Sequence, residues 1–167
     1  REPNVVRSDY ARPNLSFSVR HTDDRKGQLL RVIGNVPGSG IVYVRTRDAA
    51  ELLAAELKEE GIAAEYYHAG LPHGERTLRQ NEWTAGKTRV MVATDIASRG
   101  IDINELPLVI NYDLPDVPET YVHRIGRTGR AGNTGTALTF CSQEERKLVN
   151  DIQKLTGKKL NKASYTI

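Results

Sequence analysis

Short apolar runs separated by longer amphipathic stretches recur along this 167-residue chain, and that rhythm restricts its fold more than any other feature. Residues 15–19 read as a strand, and Thr22, Asp23 and Asp24 open a helix that runs to about Val36. "PGSG" ends it and "IVYV" forms a buried strand. Asp48 with Glu51 three residues on has the spacing of a capping box, so a helix is expected with Leu52, Leu53 and Leu57 inward and Gly61 as its stop. "AAEYYHAG" reads as a strand entering a loop, residues 75–83 as a helix, and "RVMVAT" and "LPLVINYD" as strands. A short helix over 118–125, the strand "GTALTF" and a helix over 143–155 complete the series. Such β-α alternation predicts an α/β fold with a mostly parallel central sheet and helices on both faces.

One domain spanning 1–167 is expected, with its core at about 14–160 and linker-like ends. Hydrophobic content of 38% and charged content of 27% are those of a soluble globular chain. The one cysteine, Cys141, excludes a disulfide framework, and no apolar run reaches membrane-spanning length. A soluble, cytoplasmic protein without membrane contact is expected. The formal net charge of +3 is too small to argue for nucleic-acid binding by itself, so any basic surface must be local.

In a sheet of this kind ligands bind beyond the carboxyl ends of the strands, and the loops there hold much of the unusual polar material: "RTRD", "HAGLPHGER", "TDIASRGID" and "DLPDVPE". "TAGKTR" ends like a phosphate-binding P-loop, but Asn81 stands where that motif needs its first glycine. It also joins a helix to a strand, the reverse of the P-loop order, and is read as a surface turn. His21, His68, His73 and His123 lie on separate segments without metal-ligand spacing, so no metal site is expected. "TDIASRGID" is either a ligand loop or a polar loop in which Asp95 or Asp102 satisfies backbone amides. Most specific is "YVHRIGRTGRAG": Arg124, Arg127 and Arg130 are spaced by three among glycines, with no acid between them. Three like charges on one face repel unless an anion or water screens them, and guanidinium forks match phosphate or carboxylate.

"VMVATDIASRGIDI", "LVINYDLPDVPETYVHRIGRTGRAGNTGTALTF" and "IQKLTGKKL" closely resemble the second RecA-like domain of DEAD-box RNA helicases, and "IVYVRTR" and "HAGLPHGER" resemble that family's motif IV and the loop after it. His73 replaces the usual glutamine of that loop while Arg76 is retained. "RSDYARPNLSFSV", "IVYVRTR" and "YYHAGL" resemble RecQ-type DNA helicases more, which implies either a divergent lineage or a hybrid joined near Val92.

The resemblance implies a RecA-like three-layer sandwich. It makes Arg127 and Arg130 arginine fingers toward the γ-phosphate of ATP, and gives Asp102 the ATP ribose. His123 and Arg124 would contact the N-terminal RecA-like domain and couple its hydrolysis site to nucleic acid. Thr46, Arg47, Gly70, Arg76, Thr94 and Gly100 would line the strand-binding face. The P-loop, the Asp-Glu-Ala-Asp motif and most of the hold on ATP and Mg2+ belong to the first domain of that family and do not occur here. The chain is therefore expected to be monomeric, to act on RNA, with DNA as the rival substrate, and to hydrolyse no ATP alone. A domain of a RecQ-like DNA helicase and a non-catalytic hybrid are the competing readings.

Overall fold

The computed structural model describes residues 15–21, 24–95, 106–113, 124, 135–141, 147, 150–151, 154 and 162–163. Among these residues ten elements are defined: β1 (Leu15–His21), α1 (Arg25–Asn35), β2 (Gly40–Val44), α2 (Arg47–Glu59), β3 (Ala64–Tyr67), α3 (His73–Thr84), β4 (Val90–Thr94), β5 (Leu108–Asn111), β6 (Gly135–Cys141) and β7 (Lys162–Ala163). Helical residues also occur at Arg124, Lys147, Asn150, Asp151 and Lys154, within the two further helices the sequence predicts.

Period-two burial builds the two faces of the sheet. Val42, Val44, Val90, Val92, Leu108 and Ile110 point to one side, where Leu29, Val32 and Ile33 of α1 and Ala50, Leu53, Ala54 and Leu57 of α2 cover them. Ile41, Tyr43, Met91, Ala93 and Val109 point to the other side, against Trp83 of α3. Because β2, β4 and β5 are buried on both faces they read as unbroken apolar runs, as inner strands of a parallel sheet do. The strand order is β3-β4-β2-β5-β6-β1-β7, and every pairing is parallel. All the strands therefore end on one edge.

That order contains a reversal. From β2 the chain steps outward to β3 and back to β4, then crosses to β5 on the opposite side of β2. A crevice at such a switch point is where open α/β sheets receive ligands.

Local signals explain the helix bounds. Asp24 caps α1 by accepting the Gly27 amide at 3.1 Å, as an N-terminal Asp should. In α2 the expected Asp48 cap is displaced: Thr46 is the N-cap, its Oγ1 accepting the Ala49 amide at 3.1 Å, and Asp48 lies in the first turn. The extended conformation at the end of β2 puts Thr46 at the cap, leaving Glu51 free to turn elsewhere. Gly61 stops α2 as expected, with a left-handed φ of 84°. Its amide and that of Ile62 close back on the Lys58 and Leu57 carbonyls.

Two further expectations are corrected. Leu52 is 63% exposed, because the buried stripe of α2 runs through Ala50, Leu53, Ala54 and Leu57. Residues 162–163 are no linker: Lys162 and Ala163 pair with Val19 and Arg20 and extend the sheet beyond residue 160.

Candidate functional site

Three neighbouring strands, β2, β4 and β3, deliver polar residues to the carboxyl edge. Just beyond β2 lie Thr46 and Arg47, both exposed. The Thr46 oxygen accepts from the helix, and its hydroxyl proton remains to be donated outward. Thr94 ends β4 in register with Val44, and it is only 8% exposed.

Beyond β3 the chain turns through Gly70. A Cβ there would lie 2.9 Å from the His68 ring and 3.2 Å from Arg47 Nη1, so Gly70 and the Arg47 guanidinium are close neighbours, although far apart in sequence. The Gly70 amide donates to His68 Nδ1 at 3.0 Å. The Gly70 amide is thus already used, and the position offers a bare backbone without a Cβ. Arg76, in the first turn of α3, carries a buried Nε with no hydrogen-bond partner among the described residues. Gly100, Asp102, His123, Arg127 and Arg130 lie outside the described residues.

Arg124 corrects the sequence reading. Expected as an unneutralised charge facing another domain, it is 0% exposed and held inside this one. Its Nε and Nη2 donate to the two carboxylate oxygens of Asp95 at 2.5 and 2.7 Å. Nη1 donates to Asn111 Oδ1 and to the Asp113 carbonyl, both at 2.8 Å. The guanidinium also lies 4.8 Å from the centre of the Tyr43 ring. A buried charge is tolerable only when it is paired and its donors are used, and four of the five guanidinium protons are accounted for here. Asp95 is the neutralising acid, at the end of β4 and 29 residues upstream, which inspection of the arginine segment alone could not reveal.

The network continues. Asn111 Nδ2 donates to Thr139 Oγ1 at 3.1 Å, linking β5 to β6. The Asp113 carboxylate accepts from the Arg45 amide at 3.0 Å and from Arg25 at the start of α1. Arg25 also donates to the Tyr112 carbonyl at 2.9 Å and stands over the Tyr112 ring. Burial pushes the Tyr112 phenol pKa up, against the opposing pull of Arg25. Asn111 and Asp113 were legible only as polar interruptions at the end of an apolar run. Their joint role appears once β2, β4, β5 and β6 stand side by side.

Among the described residues no group of three or more His, Cys, Asp or Glu side chains could hold a metal ion. No described helix is long and apolar enough to cross a membrane.

The family profile of the helicase conserved C-terminal domain matches residues 25–132. The chain belongs to that family. This helicase C-terminal domain is 44% identical over 146 residues to the ATP-dependent RNA helicase DbpA of Bacillus subtilis, covering 86% of this chain and 30% of the relative. It is 38% identical to dbp8 of Emericella nidulans over 95% of this chain and 29% of that protein. Among solved structures, it superposes on a DEAD-box protein of Methanococcus jannaschii with a TM-score of 0.84 and 36% identity, over 91% of this chain and 42% of that one. The Escherichia coli DEAD-box protein SrmB, in complex with RraA, gives 0.80 and 35%, with 89% of each chain covered. The fold is thus that of a DEAD-box C-terminal RecA-like domain, and the domain spans about a third of the length of these curated relatives. Matches covering 95% of the chain run through Val92 and take in both halves, so a RecQ-like upstream half is not supported.

Proposed function

We propose that this domain is the second RecA-like half of an ATP-dependent RNA helicase, contributing part of a single-strand binding face and the arginines that complete an ATP site on a first domain. The observation that carries the strand-binding part is the meeting of Arg47 with the bare backbone of Gly70, beside Thr46 and next to the end of β4. An exposed cation and a hydroxyl over a surface without a Cβ suit a sugar-phosphate backbone, which asks for charge and close approach and carries little sequence information. Thr94 and Arg76, whose Nε has no hydrogen-bond partner among the described residues, would join that face, and so would Gly100. RNA is favoured over DNA because the relatives are named RNA helicases. A structure of yeast Dbp5, 32% identical over 96% of this chain, holds RNA and ADP BeF3.

Arg127 and Arg130 would stabilise charge developing on the γ-phosphate, and Asp102 would accept from the ribose hydroxyl. ATP and Mg2+ would be held mainly by the first domain, so this chain alone turns over no ATP. His123 would meet the partner domain directly. Arg124 would serve coupling from inside, by tying the segment that bears the fingers to the end of β4.

Fluorescence anisotropy with labelled single-stranded RNA and DNA tests the binding half. The reading expects salt-sensitive, sequence-tolerant binding that weakens on Arg47→Ala. Binding indifferent to that substitution would reject the assigned face.

A further inference from the structure

His68 is buried to 6% exposure yet its ring is fully engaged in polar contacts. Nδ1 accepts the Gly70 amide at 3.0 Å, and Nε2 lies 2.8 Å from Glu51 Oε2. These two contacts fix the tautomer. An acceptor at Nδ1 requires the proton on Nε2, where it is donated to the Glu51 carboxylate. The ring stacks on Tyr66, with centroids 5.2 Å apart. Arg79 of α3 lies over that same tyrosine, and it is anchored to Glu65 and to the Tyr66 carbonyl. Among the described residues, the charged and titratable groups in these contacts are Glu51 and Arg47 of α2, Tyr66 of β3 and, behind it, Arg79 of α3 with Glu65.

From this geometry we infer that His68 is a positioning residue: Glu51 sets its tautomer, and its Nδ1 holds the Gly70 turn in the shape that lets Arg47 lie against it. The inference rests on the strand-binding reading of Arg47 and Gly70 for its functional consequence, but its structural content stands without RNA. Protonation of His68 would place a second N–H at Nδ1, facing the Gly70 amide, and two donors cannot share that contact. The turn must then open, even as Glu51 gains attraction for the imidazolium. Neutral His68 is the form that orders this corner.

Two isosteric substitutions separate the functions of the ring's two nitrogens. His68→Asn puts an acceptor near the Nδ1 position, whereas His68→Gln reaches toward Glu51 and leaves the Gly70 amide unpaired. The Gly70 amide resonance of this chain, followed by NMR without nucleic acid, reports whether the turn keeps its shape when either ring nitrogen is removed. It should be displaced in His68→Gln and stay near its original position in His68→Asn. Single-stranded RNA affinity should fall about tenfold in His68→Gln, where the turn against Arg47 loses its anchor, and stay within about twofold in His68→Asn. Glu51→Gln, which spares the fold if the ring variants do not, should make the Gly70 resonance heterogeneous by releasing the tautomer. A Gly70 resonance indifferent to His68→Gln would overturn the inference. Loss of RNA affinity on His68→Gln, with Arg47→Ala without effect, would instead reject the strand-binding assignment of Arg47 and leave the positioning role intact.

Discussion

Arg124 and Asp95, 29 residues apart in sequence, form a two-pronged ion pair at the switch point of the sheet, with the guanidinium wholly buried. Removing one partner of such a pair strands a charge away from water and costs ~3–5 kcal/mol, whereas removing both costs far less than the sum. Asp95→Asn and Arg124→Met should each lower unfolding free energy by that order in urea titrations, and the double variant should recover part of the loss. Arg124→Lys should not rescue, because a single ammonium cannot reach the Asp95 carboxylate, Asn111 and the Asp113 carbonyl together.

Arg89 closes the end of α1. Its Nη2 donates to the Ile33 and Val36 carbonyls at 2.6 and 2.7 Å, and its Nε to Gly38 at 3.1 Å. Charged donors on otherwise open helix-end carbonyls are worth more than neutral ones. Arg89→Ala should cost ~2 kcal/mol in the same titration, with nucleic-acid affinity unchanged.

Adjacent leucines on α2 should behave oppositely. Leu53 is 3% exposed within the core, and Leu52 is 63% exposed. Leu53→Ala should destabilise by ~2–5 kcal/mol and Leu52→Ala by less than about 0.5 kcal/mol.

Tyr112 gives the fold an alkaline limit. Burial raises its phenol pKa despite Arg25, so the folded state favours the neutral ring. The unfolded chain ionises first, near pH ~10, and the stability this contributes is full below that value and is lost as pH rises toward the folded pKa. Tyr112→Phe should flatten the fall in unfolding free energy above pH ~10, measured against the parent at each pH.

The sheet was legible in the sequence because β2, β4 and β5 are buried on both faces, and a doubly buried strand leaves an apolar run that cannot be mistaken for a solvent-facing element. Leu52 was misplaced because three leucines within six residues satisfy a helical stripe in more than one way, and only packing against β2 and β4 selects Leu53 and Leu57. β7 escaped notice because Lys162 and Ala163 carry no apolar pattern, joining the sheet through backbone pairing to β1. Arg47 and Gly70 could be assigned to one face from motif resemblance, but their proximity follows from β2 and β3 flanking β4. The partner of Arg124 was hidden for the same reason: a charge is neutralised by its neighbours in space, and Asp95 becomes one only when the chain crosses from β4 to β5. His68 looked unremarkable as a lone histidine, and its function lies in a glutamate one helix away.

Joining this chain to a compatible first RecA-like domain and measuring RNA-stimulated ATP hydrolysis, with Arg127→Ala as the comparison, decides whether the domain is half of a composite ATPase. Arginine fingers acting in trans contribute ~10³ to 10⁵ in rate. A composite ATPase requires turnover by the joined protein, none by the present chain, and loss of at least about a thousandfold on Arg127→Ala. Equal turnover with and without the Arg127 guanidinium, or RNA-stimulated turnover by this chain alone, would contradict it.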